Sequence, residues 1–143
     1  MRDGLVSWLR AQLDEDEQIA RAACWDDQSD VWTARPPQAH YERYTVVDYL
    51  DDGVVAVTPE NADADGVGQH IAEWDPARVL REIDAKRQLV CAYEEAVSAF
   101  NDSGPALTSY DRLTGSVSSL RRAIELLALP YADRPGYREE WRP

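Results

Sequence analysis

The sequence predicts an α+β domain dominated by helices. One N-terminal helix and two long antiparallel helices form a bundle, a small antiparallel sheet lies beside them, and a C-terminal tail docks on the core. Three observations carry this reading. Apolar residues recur at helical spacing within residues 3–24, 75–100 and 105–129. Between the first two stretches that period vanishes, and aromatic and β-branched residues take over around an Asp-Gly pair. The tail after Pro130 carries Tyr131, Tyr137 and Trp141, and aromatics of that size need a core to cover them.

The first helix is expected from about Asp3, a suitable N-cap, to Cys24. Leu5, Trp8, Leu9 and Leu13 form its apolar stripe. Arg10 with Asp14 and Glu17 with Arg21 are opposite charges four residues apart, each pair contributing ~0.2–0.5 kcal/mol. Tyr44–Leu50 and Val54–Thr58 read as strands joined at Asp52-Gly53, a pair suited to a type I′ turn. Val31–Ala34 would add a third strand, ended by Arg35-Pro36-Pro37. Pro59–Gly68 reads as a loop and Val67–Trp74 as a short helix. Asp75-Pro76 then combines an N-cap with a proline at the first helical position, opening a helix that runs to about Phe100. Asn101–Pro105 breaks it. The last helix starts near Pro105 or Thr108, where Thr108 and Asp111 resemble a capping box. Tyr110, Leu113, Val117, Leu120, Ile124 and Leu127 then alternate spacings of three and four. Gly115 within that stripe would permit a close helix crossing. The short link between the two long helices favours an antiparallel pair.

At 143 residues the chain fits a single domain spanning 1–143. Hydrophobic residues at 44% and charged residues at 29% exclude global disorder. Apolar runs reach only about five residues, against the ~20 of a membrane span. The acidic, amphipathic start does not read as a secretory signal. The net charge is −12 and is uneven: residues 1–74 hold 5 basic and 16 acidic groups, net −11. Direct nucleic-acid binding is disfavoured, because phosphate contacts need clustered Lys and Arg. Anionic membranes would repel the chain for the same reason.

No catalytic constellation stands out. Nucleotide-binding glycine loops and a G-x-S-x-G elbow are absent from the sequence. Cys24, Cys91, His40 and His70 have no ligand-like short spacing, so neither metal nor cofactor is expected, and both cysteines read as small buried residues. His70, Glu73 and Asp75 form a candidate polar site, with His70 and Glu73 on one helical face. The candidate partner-binding residues are Trp74, Arg78, Tyr131, Arg134, Tyr137 and Trp141, types enriched at interface hot spots.

Three segments, Leu5–Ala23, His70–Val90 and Leu126–Pro143, contain LDEDEQIARAA, HIAEWDPARVLREIDAKR and LALPYADRPGYREEWRP. They resemble a family of small uncharacterised proteins from actinobacteria and their phages, a domain of unknown function. The resemblance implies such a source and a cytoplasmic protein. It implies no activity and no catalytic residue.

The reading favours a non-enzymatic interaction module whose partner is an unidentified protein, a basic one or a second copy in a homodimer. One alternative is an acidic decoy that imitates nucleic acid, which needs Asp14, Glu15, Asp16, Glu17, Asp51 and Asp52 on one surface. The other is a small ligand- or metal-binding enzyme with a pocket near His70.

Overall fold

The computed structural model describes residues 4–57, 64–103 and 107–143. Helix dominates, as the 3.6-residue periods predict. The elements are α1 (Leu5–Ala22), β1 (Thr33–Arg35), β2 (Thr45–Val47), β3 (Gly53–Ala56), α2 (Ala64–Glu73), α3 (Pro76–Asp102) and α4 (Leu107–Ala128), then 3-10 turns at Leu129–Tyr131 and Glu139–Trp141. The expected Asp3 cap, residues 59–63 of the expected Pro59–Gly68 loop, Pro105 and the side chain of Thr108 lie outside the described residues; Ala64–Gly68 are not loop but the first half of α2, which starts three residues before the expected Val67. No helix among the described residues is long and apolar enough to cross a membrane. The chain divides into two compact units, Met1–Glu15 with Ile83–Pro143, and Asp16–Glu82.

In the first unit Leu5, Leu9, Leu13, Val90, Ile124 and Trp141 are fully buried or nearly so. Each such side chain gains ~1.5–3 kcal/mol from leaving water. Residues after α4 turn back onto the first turns of α1. Gly136 adopts φ +87°, which favours glycine, and a Cβ there would stand 2.9 Å from Trp8 Nε1. Trp8 Nε1 donates to the Pro135 carbonyl at 3.0 Å. Trp8, Tyr137 and Trp141 form a cluster with ring centroids 5.4–5.8 Å apart. Tyr131 is buried, with Arg134 Cζ 4.7 Å and Lys86 Nζ 5.7 Å from its ring centroid.

Three expectations are corrected here. Arg10 does not pair with Asp14. It forms a bidentate pair with Glu94, both bonds 2.7 Å, while Asp14 accepts from Arg87 at 2.6 Å. A planar guanidinium matches two carboxylate oxygens at once, so the longer-range partner wins. Gly115 permits no close crossing, because a Cβ there would meet nothing within 4 Å. The α4 stripe is also unevenly covered: Ile124 is buried, Leu113, Val117, Leu120 and Leu127 are half-buried, and Tyr110 is exposed beside Phe100.

The second unit holds the antiparallel sheet, in order β1-β2-β3. Thr33 pairs with Val47 and Val46 with Val55. The hairpin exists, but its turn is not Asp52-Gly53. β2 stops at Val47, a bulge follows Val46, and residues 48–52 make the turn. Asp48 Oδ1 accepts the N–H groups of Leu50 and Asp52, both at 2.9 Å. This carboxylate organises the loop as an Asx turn, Asp51 takes the positive φ of 59°, and Gly53 begins β3. The third strand likewise falls at Thr33–Arg35 rather than Val31–Ala34. α2 packs on β1 and β2, with Gly68 directly over the buried ring of Tyr44.

Candidate functional site

Within Asp16–Glu82 lies an apolar groove of about 340 Å³. The second half of α1 supplies Asp16, Ile19 and Ala20, and the turn after it Ala23. Trp32 precedes β1, Trp74 joins α2 to α3, and the first turn of α3 adds Pro76 and Val79. Asp16 is the one charged residue among these. Ile19 is 60% exposed and Trp74 46%. An indole and a branched aliphatic chain left in water beside one another are the kind of surface that association covers.

Asp75, which follows Trp74 in the chain, ties Trp32 to the start of α3. Its Oδ1 accepts the N–H of Arg78 at 2.9 Å, the N-cap bond expected from Asp-Pro. Its Oδ2 accepts the N–H of Trp32 at 3.1 Å, joining the start of α3 to the segment before β1. Trp32 Nε1 donates to the Ser29 carbonyl at 2.9 Å. Ser29 is itself fully buried, and its hydroxyl accepts the N–H groups of Trp25 and Asp26. Arg78 lies over the Trp74 ring at 4.1 Å and donates to Glu82 at 3.0 Å. Replacing Asp75 with alanine removes the cap and leaves the Trp32 N–H without its acceptor. A loss of about 1–3 kcal/mol is expected in urea denaturation, with the indole emission shifting toward that of exposed tryptophan.

The six expected partner-binding residues divide between the units. Trp74 and Arg78 lie in the second. Tyr131, Arg134, Tyr137 and Trp141 lie in the first, where Tyr131 and Trp141 are 6% and 2% exposed and their rings serve its interior. The polar trio does not converge on chemistry. Both oxygens of Asp75 accept backbone N–H groups, Glu73 accepts from Gln69 at 2.8 Å, and His70 is exposed with its ring 6.3 Å from that of Trp74. No group of three or more His, Cys, Asp or Glu among the described residues is placed to hold a metal ion. A depression of about 390 Å³ in the first unit, beside Arg10, Tyr93 and Arg121, has its guanidinium groups paired with Glu94 and Glu125.

Sequence reading missed Ile19 and Trp32. Ile19 follows the acidic run Asp14–Glu17 and falls between Trp8 and Leu5 on the helical wheel of α1, so helical period alone places it with the core residues although it is 60% exposed. Trp32 was read only as part of a strand. The cysteines also differ from expectation. Cys91 is exposed, since it follows buried Val90 and points outward, and Cys24 is half-buried. Burial, then the charge of Asp30, pushes the Cys24 thiol up. A raised thiol holds less thiolate at a given pH, so iodoacetamide near neutral pH should label Cys91 several-fold faster than Cys24. Mass spectrometry of the labelled peptides reads the order, and Cys24 labelling first would contradict it.

A model of a family of unknown function, DUF6221, matches residues 2–143. The chain belongs to that family. No curated protein and no solved structure matches it. The function of the family is unknown, so what this member's groove can do follows from its geometry and chemistry. It has an apolar opening and two tryptophans held by backbone bonds, and its lining among the described residues includes no Ser, Cys or His.

Proposed function

We propose that this family member is a cytoplasmic protein-interaction module, from an actinobacterium or one of its mobile elements, and that it binds another protein through the Trp74 groove. The observation that carries the reading is the half-exposed Trp74 indole beside Ile19 in a groove with one charged lining residue. Burying both side chains would contribute ~1.5–3 kcal/mol each, enough to anchor an interface. The acidic-decoy alternative has less support. Asp14, Glu15 and Glu17 form ion pairs with Arg87, Arg134 and Arg21, which reduces the charge they present.

The test is a photo-crosslinking amino acid placed at Trp74 and, separately, at exposed Ser118 of α4. In the native host, a discrete protein adduct from position 74 and none from position 118 is expected. Equal adducts from both positions, or none from position 74, would remove the groove from consideration.

A further inference from the structure

The groove also carries information about what fills it. Five of its eight lining residues are helical: Asp16, Ile19 and Ala20 belong to α1, and Pro76 and Val79 to α3, while Ala23 directly follows α1 with its N–H bonded back to the Ile19 carbonyl. Backbone N–H and C=O groups within helices are already paired, so these walls offer no row of main-chain partners to an extended peptide. An occupant must satisfy its own backbone, which an α-helix does. From Asp16 to Ala23 the chain advances seven steps, about 10 Å at 1.5 Å per residue, or two helical turns.

Charge selects the kind of helix. Residues 16–82 carry 15 acidic and 5 basic groups, net −10 of the whole chain's −12. Asp16 is in the groove lining itself. Ala23 and Val79 of the groove are followed in the chain by Cys24 and Leu80, which line a second depression with Asp26, Asp27, Asp30 and Arg21, the last paired with Glu17. Asp26 is held below the usual carboxylate range by the Gln28 N–H and the Tyr49 hydroxyl, so it keeps its charge into mild acid. Arg78, stacked over the Trp74 ring, is paired with Glu82. With acidic groups outnumbering basic ones in this unit, an acidic helix would meet like charge, while a basic one would meet complementary charge.

We infer that the occupant of the Trp74 groove is a basic amphipathic helix of a partner protein, its apolar face set between Ile19, Trp32 and Trp74 and its Lys or Arg residues facing the surrounding carboxylates. This rests on the interaction reading above and adds the chemical class of the partner.

The test uses the full chain and three labelled peptides of about 15 residues, long enough to form a helix. The first has leucine at i, i+3, i+4 and i+7 with lysine elsewhere. The second replaces lysine with glutamate, and the third scrambles the first. Fluorescence anisotropy is expected to show micromolar binding of the Leu/Lys helix, weakened about tenfold or more by Trp74→Ala and by Ile19→Ala. Raising the salt from about 0.05 M to about 0.5 M should weaken it further. Both positions are substantially exposed, and circular dichroism checks that each variant stays folded.

Equal binding of the glutamate helix would overturn the basic character while leaving the groove as an interaction site. Equal binding of the scrambled peptide, or binding unchanged in both variants, would overturn the helix-in-groove assignment. Absence of binding to the Leu/Lys helix, with position 74 still crosslinking a protein in the host, would overturn the inference and retain the interaction reading.

Discussion

Trp141→Ala is expected to cost about 3–5 kcal/mol, the range for removing a large aromatic from a packed interior. Trp141 is 2% exposed and its ring meets those of Trp8 and Tyr137. Against a typical domain stability of ~5–15 kcal/mol, that is a large fraction. Urea denaturation followed by circular dichroism gives the value, and a loss below about 1 kcal/mol would mean that the tail contributes little. Tyr137→Phe carries an opposite expectation. The Tyr137 hydroxyl is buried and finds no hydrogen-bond partner among the described residues. Removing it should be neutral or stabilising by up to about 1 kcal/mol, because an unpaired buried hydroxyl costs its desolvation. Clear destabilisation would show that the hydroxyl has a partner.

Gly68→Ala is expected to destabilise the protein by about 1–3 kcal/mol, through overpacking in the second unit. A Cβ at Gly68 would collide with Tyr44 Cε1 and stand 2.6 Å from its Cδ1. Tyr44 is 7% exposed, so its ring has little room to yield. Gly66, two residues earlier on α2, is the internal control, since a Cβ there would meet nothing within 4 Å. Gly66→Ala should raise stability by ~0.5–1 kcal/mol through helix propensity alone. Thermal unfolding of the two variants should move the midpoint in opposite directions. A fall of similar size for both would point to propensity or solvation rather than the Tyr44 contact.

These glycines illustrate where sequence reading stopped. Gly66 and Gly68 look alike in the string, and only the packing of α2 on the sheet separates them. Leu5, Leu9 and Leu13 were legible as core because helical period and burial coincide there. Asp75-Pro76 was legible as a helix start because a cap and a fixed φ act within a few residues, and the Arg78 N–H bond agrees with it. The second bond of Asp75, to Trp32, spans 43 residues and left no local mark. The hairpin could be placed but its turn could not, since the Asp48 carboxylate outcompeted the Asp-Gly pair for the backbone N–H groups.

Of the candidate site, Trp74 and Arg78 were legible from residue type. Ile19 and Trp32 were not, because nothing in a linear string brings residues of α1, the pre-β1 segment and α3 to one groove. Residue order alone carries the mainly helical α+β class, the α3 start at Asp75-Pro76 and the concentration of acidic charge before residue 83, all properties of adjacent residues. Tertiary structure alone decided which apolar residues stay exposed and which aromatics the interior takes. Burial depends on partners far apart in the chain, and local propensity holds no record of them.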